Sequence, residues 1–308
     1  MKRKHVFSIW LTLAGIMLFL LFPDPTQAGV RAGLELCGRV LIPSLFPVSV
    51  LAGCLIQMRA SGSASHAAER GMRTLFGLPG EAALPLLLGF LGGFPLGAQL
   101  AASAYEAGSL TEQDAARLAG LSNQAGPAFL LGAAGTILGS RVIGMKLFYI
   151  QFAAAVLTGI LHRNASSQPI QQKKLPEGRQ TVALSATLPR CITESTLAML
   201  RLTGAVAFFQ AVSCCLNAAL PTTELPPVFR AGCFGVLELT GGIASLRGLG
   251  LHASVLLPLL AAMIGWGGVC VHLQTAQALS EADIPIGPYL RYKAVQAVVS
   301  WILASFLS

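Results

Sequence analysis

Gly92-Gly93-Phe94-Pro95-Leu96-Gly97-Ala98 and, about thirty residues on, Ser122-Asn123-Gln124-Ala125-Gly126-Pro127-Ala128 interrupt a largely apolar stretch, residues 85–136, that otherwise reads as helix. Proline lacks an amide donor, and glycine in a helix interior costs about 1 kcal/mol relative to alanine. In hydrocarbon the backbone groups freed by such a break find no water. Broken helices therefore persist in membranes only where they face protein or a wet cavity. Breaks of this kind build the midplane binding sites of secondary transporters. A packing kink would explain either break alone. Two in succession, the second carrying Ser-Asn-Gln, point to a site.

The surroundings agree with a membrane. The chain has 308 residues, 54% hydrophobic and 11% charged, with a mean hydropathy of +0.67. A soluble protein carries about 25% charged residues, so this is a polytopic membrane protein. Its formal charge of +8 then speaks of topology, and no basic run interleaved with aromatics offers a nucleic-acid surface. Cys37, Cys54, Cys191, Cys214, Cys215, Cys233 and Cys270 form no C-x-x-C pair and fall mostly in apolar segments, where cysteine serves as a small hydrophobe. The histidines are scattered, with no H-E-x-x-H, and no paired carboxylates or nucleophile–base set appears. The expectation is no enzyme, no metal and no cofactor. The expected partners are a small-molecule substrate, the lipid bilayer, and a second copy or another membrane protein, but no nucleic acid.

Lys2-Arg3-Lys4 and the apolar run 6–22 imitate a secretory signal, with Thr26-Gln27-Ala28 as a cleavage-like triplet. The run exceeds the roughly 7–15 residues of a signal core, so residues 1–31 are expected to hold a first transmembrane helix, with 23–32 outside. Further apolar segments follow at 34–58, 82–107, 116–139, 142–162, 195–220, 228–249, 253–276 and 290–307. A spanning helix needs about 20 residues. If all of them spanned, the basic linker 164–190, with Lys173, Lys174 and Arg179, would fall outside, against the positive-inside bias.

Treating 82–107 as a re-entrant hairpin with its tip at Gly92–Gly97 returns the linker to the cytoplasm. The second half accepts the same treatment. Residues 195–220 go out, and 228–249 form a hairpin with its tip at Glu238-Leu239-Thr240-Gly241-Gly242. Residues 253–276 return, broken at Gly265-Trp266-Gly267-Gly268, and 290–307 exit. Of the 21 Lys and Arg, fifteen then lie inside and six outside. The expected fold is an all-α polytopic membrane protein. After the N-terminal helix, a first repeat at 32–163 and a second at 191–308 each read helix, re-entrant hairpin, broken helix, helix, in opposite orientation. The linker, polar and without hydrophobic period, joins them.

The expected binding residues sit at the breaks. Gly93, Pro95 and Gly97 form the first tip, and Ser122, Asn123, Gln124, Gly126 and Pro127 the first broken helix. Glu238, Thr240 and Gly241 form the second tip, and Gln274 follows the second broken helix. Asn123 is the foremost of these. Glu238 lies in an apolar stretch, and an ionised carboxylate there costs a few kcal/mol unless protonated, paired or bound to a cation, which makes it the candidate for any coupled ion. An amide in its place is expected to keep both shape and hydrogen-bonding capacity. His272 is expected to be a packing residue, and Arg39 and Arg201 to snorkel to headgroups.

The phrases Gly-Gly-Phe-Pro-Leu-Gly-Ala, Ser-Asn-Gln-Ala-Gly-Pro-Ala-Phe-Leu-Leu-Gly and Leu237-Glu238-Leu239-Thr240-Gly241-Gly242 resemble the nucleoside-recognition (Gate) domain membrane proteins, and within them the sporulation integral membrane protein group. The resemblance runs from about residue 32 to the C-terminus. It implies a fold similar to concentrative nucleoside transporters, located in the bacterial cell membrane. For the sporulation group it implies movement of dipicolinic acid across the outer forespore membrane. The expected function is therefore transport of a small polar or anionic metabolite of dipicolinate type. The alternatives are a nucleoside transporter, or a non-transporting scaffold that gates a partner complex.

Overall fold

Helices follow the hydrophobic runs, but their ends obey caps and contacts that hydropathy does not register. The computed structural model describes residues 2–57, 61–163, 183–220 and 224–308. Arg59, linker residues 164–182 with Lys173, Lys174 and Arg179, and residues 221–223 lie outside the described residues.

α1 (Lys2–Leu21) and α2 (Pro23–Leu36) are separated only by Phe22. Pro23 at the first helical position and Asp24 in the first turn favour a helix start. After a widened turn at Cys37–Leu41 the helix continues as α3 (Ile42–Gln57). Residues 23–32, expected as an outside connection, are thus part of one apolar run, Pro23–Leu55. The cause is tertiary. A Cβ on Gly29 would lie 2.5 Å from the Ala211 Cα and one on Gly33 2.6 Å from the Ala207 Cα. Two small residues four apart on each helix let the backbones touch, the usual device of close helix association in membranes.

α4 (Ser61–Phe76) is amphipathic, and no apolar run announces it; its last turns, from Ala67, meet the segment Gly80–Gly92 at 92°. α5 (Ala83–Gly92) and α6 (Leu96–Glu106) pack together across the break at 93–95. α7 (Glu112–Ser122) is capped by the Thr111 hydroxyl, which accepts from the Asp114 amide at 3.1 Å. After the break at 123–126 a widened helix, Ala128–Ala134, passes into α8 (Gly135–Leu138) and then α9 (Arg141–Leu161).

α10 (Leu184–Ala219) begins inside the stretch read as linker, so residues 184–190 are helical. Leu188 and Cys191 pack there against Val50 and Cys54 of α3, an apolar contact that holds the extra turns. α11 (Pro227–Leu237) and α12 (Leu239–Arg247) meet at Glu238, so the break falls at the first residue of the expected tip. α13 (Ala253–Trp266) and α14 (Val269–Ser280) are parted by Gly267 and Gly268, and α15 (Gly287–Leu307) ends the chain.

The described residues are helical, without strands. Four runs are long and apolar enough to cross a membrane: Pro23–Leu55, Arg141–Leu161, Leu184–Ala219 and Ala253–Ser280. The bent pair Ala67–Phe76 and Gly80–Gly92 makes a fifth if counted as one span. Phe7, Trp10, Val142, Leu161 and Phe306 are each more than half exposed. Apolar surface of that extent is stable against lipid, not water, and the chain is an all-α membrane protein. One core joins α3, α9, α10, α12 and α13, and a second joins α4 to α7 with the start of α15.

Candidate functional site

The four helix breaks meet. A Cβ on Gly93 (φ +74°) would stand 2.8 Å from the Gly126 amide nitrogen, and one on Gly97 would stand 2.4 Å from the Ser122 carbonyl oxygen. The first tip therefore lies directly on the first broken helix, and only hydrogen side chains permit it. In the second half Gly268 (φ +86°) faces Leu239 N, beside Glu238, with a Cβ distance of 3.4 Å. The two sets touch where the Phe94 ring would lie 3.4 Å from a Cβ on Gly267.

Glu238 is the N-cap of α12 and is 4% exposed. Its Oε1 accepts from the Thr240 amide at 3.0 Å and from the Thr240 hydroxyl, and its Oε2 accepts from the Gly241 amide at 2.6 Å and Gln210 Nε2 at 2.8 Å. Two of these donors are helix N-terminal amides, which have no partner within the helix and favour negative charge. Two oxygens serving four donors match a carboxylate, so this buried acid is held by hydrogen bonds, with no cationic partner within ion-pair distance among the described residues.

A cavity of about 50 Å³ lies among the breaks, lined by Gly93, Phe94, Gly126, Glu238, Thr240 and Gln274 together with apolar side chains of α3 and α10. Larger cavities flank it. One of about 330 Å³ is lined by Glu238, Gly241, Gln210 and, towards the end of α10, Asn217. Towards the start of α10 lie one of about 420 Å³ with Phe94, Pro95 and Glu194, and one of about 290 Å³ with Pro95, Arg201, Gln274 and Glu281. α10 is 36 residues long, so at about 1.5 Å per residue its two ends stand on the order of 50 Å apart. Glu238 borders the central cavity and the first vestibule, while Phe94 and Gln274 border the central cavity and the others.

Of the expected residues, Gly93, Gly126, Glu238, Thr240 and Gln274 reach the central cavity, and Pro95 and Gly241 line vestibules. Pro127 opens the widened helix behind them. Gly97, Ser122, Asn123 and Gln124 lie behind the cavity wall. Ser122 and Asn123 are fully buried; the Ser122 hydroxyl donates to the Gly97 carbonyl at 3.0 Å. Asn123 Nδ2 donates to Thr275 Oγ1 at 2.8 Å and approaches the Tyr289 hydroxyl at 3.4 Å, and its Oδ1 has no partner.

Behind these residues runs a polar seam, of which the sequence reading left out Tyr289, Lys293, Gln296 and Gln151. Lys293 is fully buried; its Nζ donates to Gln296 Oε1 at 3.0 Å and stands 5.5 Å from the Phe94 ring centre and 5.9 Å from that of Tyr289. Gln296 Nε2 donates in turn to Gln124 Oε1, and Gln151 Nε2 to the Ala261 carbonyl at 2.7 Å. His272 lies against Trp266, with ring centres 4.3 Å apart; its Nδ1 meets the Tyr289 hydroxyl at 3.2 Å, and its Nε2 has no partner. Lys293, one of the fifteen Lys and Arg counted above as inside, is buried in the protein and drops out of that count. A signal existed: Tyr289, Lys293, Gln296 and Ser300 fall at helical spacing and mark one polar stripe on an otherwise apolar helix. Arg39, as expected of a snorkelling residue, is exposed, and it pairs with Glu35 at 2.9 Å.

The chain is similar to the sporulation integral membrane protein YlbJ of Bacillus subtilis (strain 168), with 23% identity over 336 aligned residues that cover 96% of this chain and 82% of that protein. No family model and no solved structure matches the chain.

Proposed function

We propose that the chain is a multipass carrier for a small polar or anionic metabolite of the dipicolinate type, working by alternating access, and not an enzyme. The observation that carries this reading is the small cavity between vestibules toward opposite ends of α10, walled by three helix breaks, at Gly93, Gly126 and Glu238, and by α14, which follows the fourth. Sites for small molecules measure about 300–1,000 Å³, so a cavity of about 50 Å³ corresponds to a state closed on both faces. Opening toward either vestibule requires the tips at Phe94 or Glu238 to move. The halves, one before the basic segment and one from α10 onward, act as an inverted repeat, each contributing one tip and one broken helix. The likeness to a sporulation integral membrane protein supports a place in a membrane; the dicarboxylate cargo and, in a spore-forming cell, the outer forespore membrane come from the resemblance of the helix-break phrases to the sporulation group.

Counterflow in proteoliposomes tests the proposal. Purified protein should exchange labelled pyridine-2,6-dicarboxylate, and Asn123→Leu, which removes the amide but keeps its volume, should insert normally and lose exchange. Cells lacking the protein should retain the cargo, visible in a mass-spectrometric search of their metabolites. Equal flux through wild type, Asn123→Leu and empty liposomes would overturn the carrier reading.

A further inference from the structure

We propose that Lys293 is the anion-recognition group of the central cavity and that the Phe94 ring is its cover: a substrate carboxylate pairs with the ammonium once that ring swings aside. The inference rests on the carrier reading and names the charge that selects the cargo. A cation withdrawn from water is costly unless paired. Lys293 is fully buried, yet among the described residues no carboxylate lies within ion-pair distance of it. Its contacts are one amide oxygen, Gln296 Oε1 at 3.0 Å, and two ring faces, Phe94 and Tyr289. Such faces attract a cation but leave it a net positive charge to offer.

The position fits a ligand. Phe94 lines both the central cavity and the vestibule with Glu194, so the same ring touches the ammonium and both spaces. Gly93 before it has φ +74° and Gly267 leaves open the space beside the ring, so the cover sits on a tip of small residues. Two further buried polar atoms near the Tyr289 ring lack partners, Asn123 Oδ1 and His272 Nε2. Both residues reach the Tyr289 hydroxyl, whose ring faces Lys293. A buried amine with unused hydrogen-bonding groups around it suits a carboxylate on a polar ring or chain, which would hold it as the ammonium. Glu238 borders the cavity from the other half, held by its own donors, and rejects a second negative group placed beside it. The carboxylate therefore enters with its charge toward Lys293.

Equilibrium dialysis on the purified full-length protein tests this with two probes, pyridine-2,6-dicarboxylate and its neutral diamide. Wild type should favour the dicarboxylate. Lys293→Gln should weaken that binding by roughly 30-fold or more, the loss typical of removing one partner of a buried charge pair, and leave the diamide unchanged. Phe94→Ala, which keeps the lysine, should make Lys293 react with trinitrobenzenesulfonate, and the dicarboxylate but not the diamide should protect it. Unchanged dicarboxylate affinity in Lys293→Gln overturns the inference. So does an unprotected amine in Phe94→Ala, should the first variant not fold. If wild type binds neither probe but exchanges a nucleoside in liposomes, the carboxylate assignment falls and the carrier reading stands. If nothing moves, both fall.

Discussion

Replacing Glu238 by glutamine tests whether the buried carboxylate is a structural cap as well as a cavity wall. Four donors converge on its two oxygens: the Thr240 amide and hydroxyl on Oε1, and the Gly241 amide with Gln210 Nε2 on Oε2. A glutamine amide offers one oxygen, so it does not match the carboxylate as the sequence alone had implied. With that oxygen toward Thr240, the new NH₂ meets two donors. Gln210 can turn its own oxygen to the NH₂, which leaves the Gly241 N–H as an orphan. A buried orphan donor costs about 1–3 kcal/mol, and losing a negative charge at a helix N-terminus costs about 0.3–1 kcal/mol. The neutral amide regains part of this by shedding the desolvation of a charge, so a net loss of about 1–3 kcal/mol is expected. Glu238→Asp keeps a favoured capping group and should lose less. Cys37 and Cys270 are 0% and 2% exposed, so a thiol-reactive dye reports their unmasking on heating. Wild-type melting in Glu238→Gln, with lower melting in Glu238→Asp, would refute the cap.

Gly97→Ala places a methyl where 2.4 Å separates the Cβ position from the Ser122 carbonyl oxygen. That neighbour is backbone, so overpacking of about 1–3 kcal/mol and loss of exchange are expected, and normal melting with normal flux would count against the contact. Gly29→Val should part α2 from α10 at Ala211, with a similar loss in thermal melting; an unchanged midpoint would deny that contact. For topology, Ala107→Cys and Asp283→Cys should label only from the cytoplasmic side and Ser254→Cys only from outside, each on a background with the exposed Cys233 replaced by serine. Labelling of all three from one side would remove the opposed halves.

The sequence by itself determined the class and the places where helices fail. Hydropathy selects a lipid environment, and clustered Gly, Pro and polar residues inside apolar runs favour a break, because the missing hydrogen bond is local, whereas the isolated Pro47, Pro189 and Pro258 lie within continuous helices. That is why Gly93, Asn123, Glu238 and Gly267 all stand at or beside interruptions, as their residue types require. What lies across from each break is not local, and only the tertiary structure decided it. Ser122 bonds to Gly97 and shows no face to the cavity, although its residue type would suit a ligand equally well. Residues 23–32 are helical because Gly29 and Gly33 meet Ala211 and Ala207, more than half the length of the chain away. Lys293 counts by sequence simply as a charge on the inner side, since distance from the membrane surface cannot be read from position in a run. Packing of α15 against α7, α9 and α13 placed it in the interior instead, where among the described residues no carboxylate pairs with it, a setting that sequence order does not reveal.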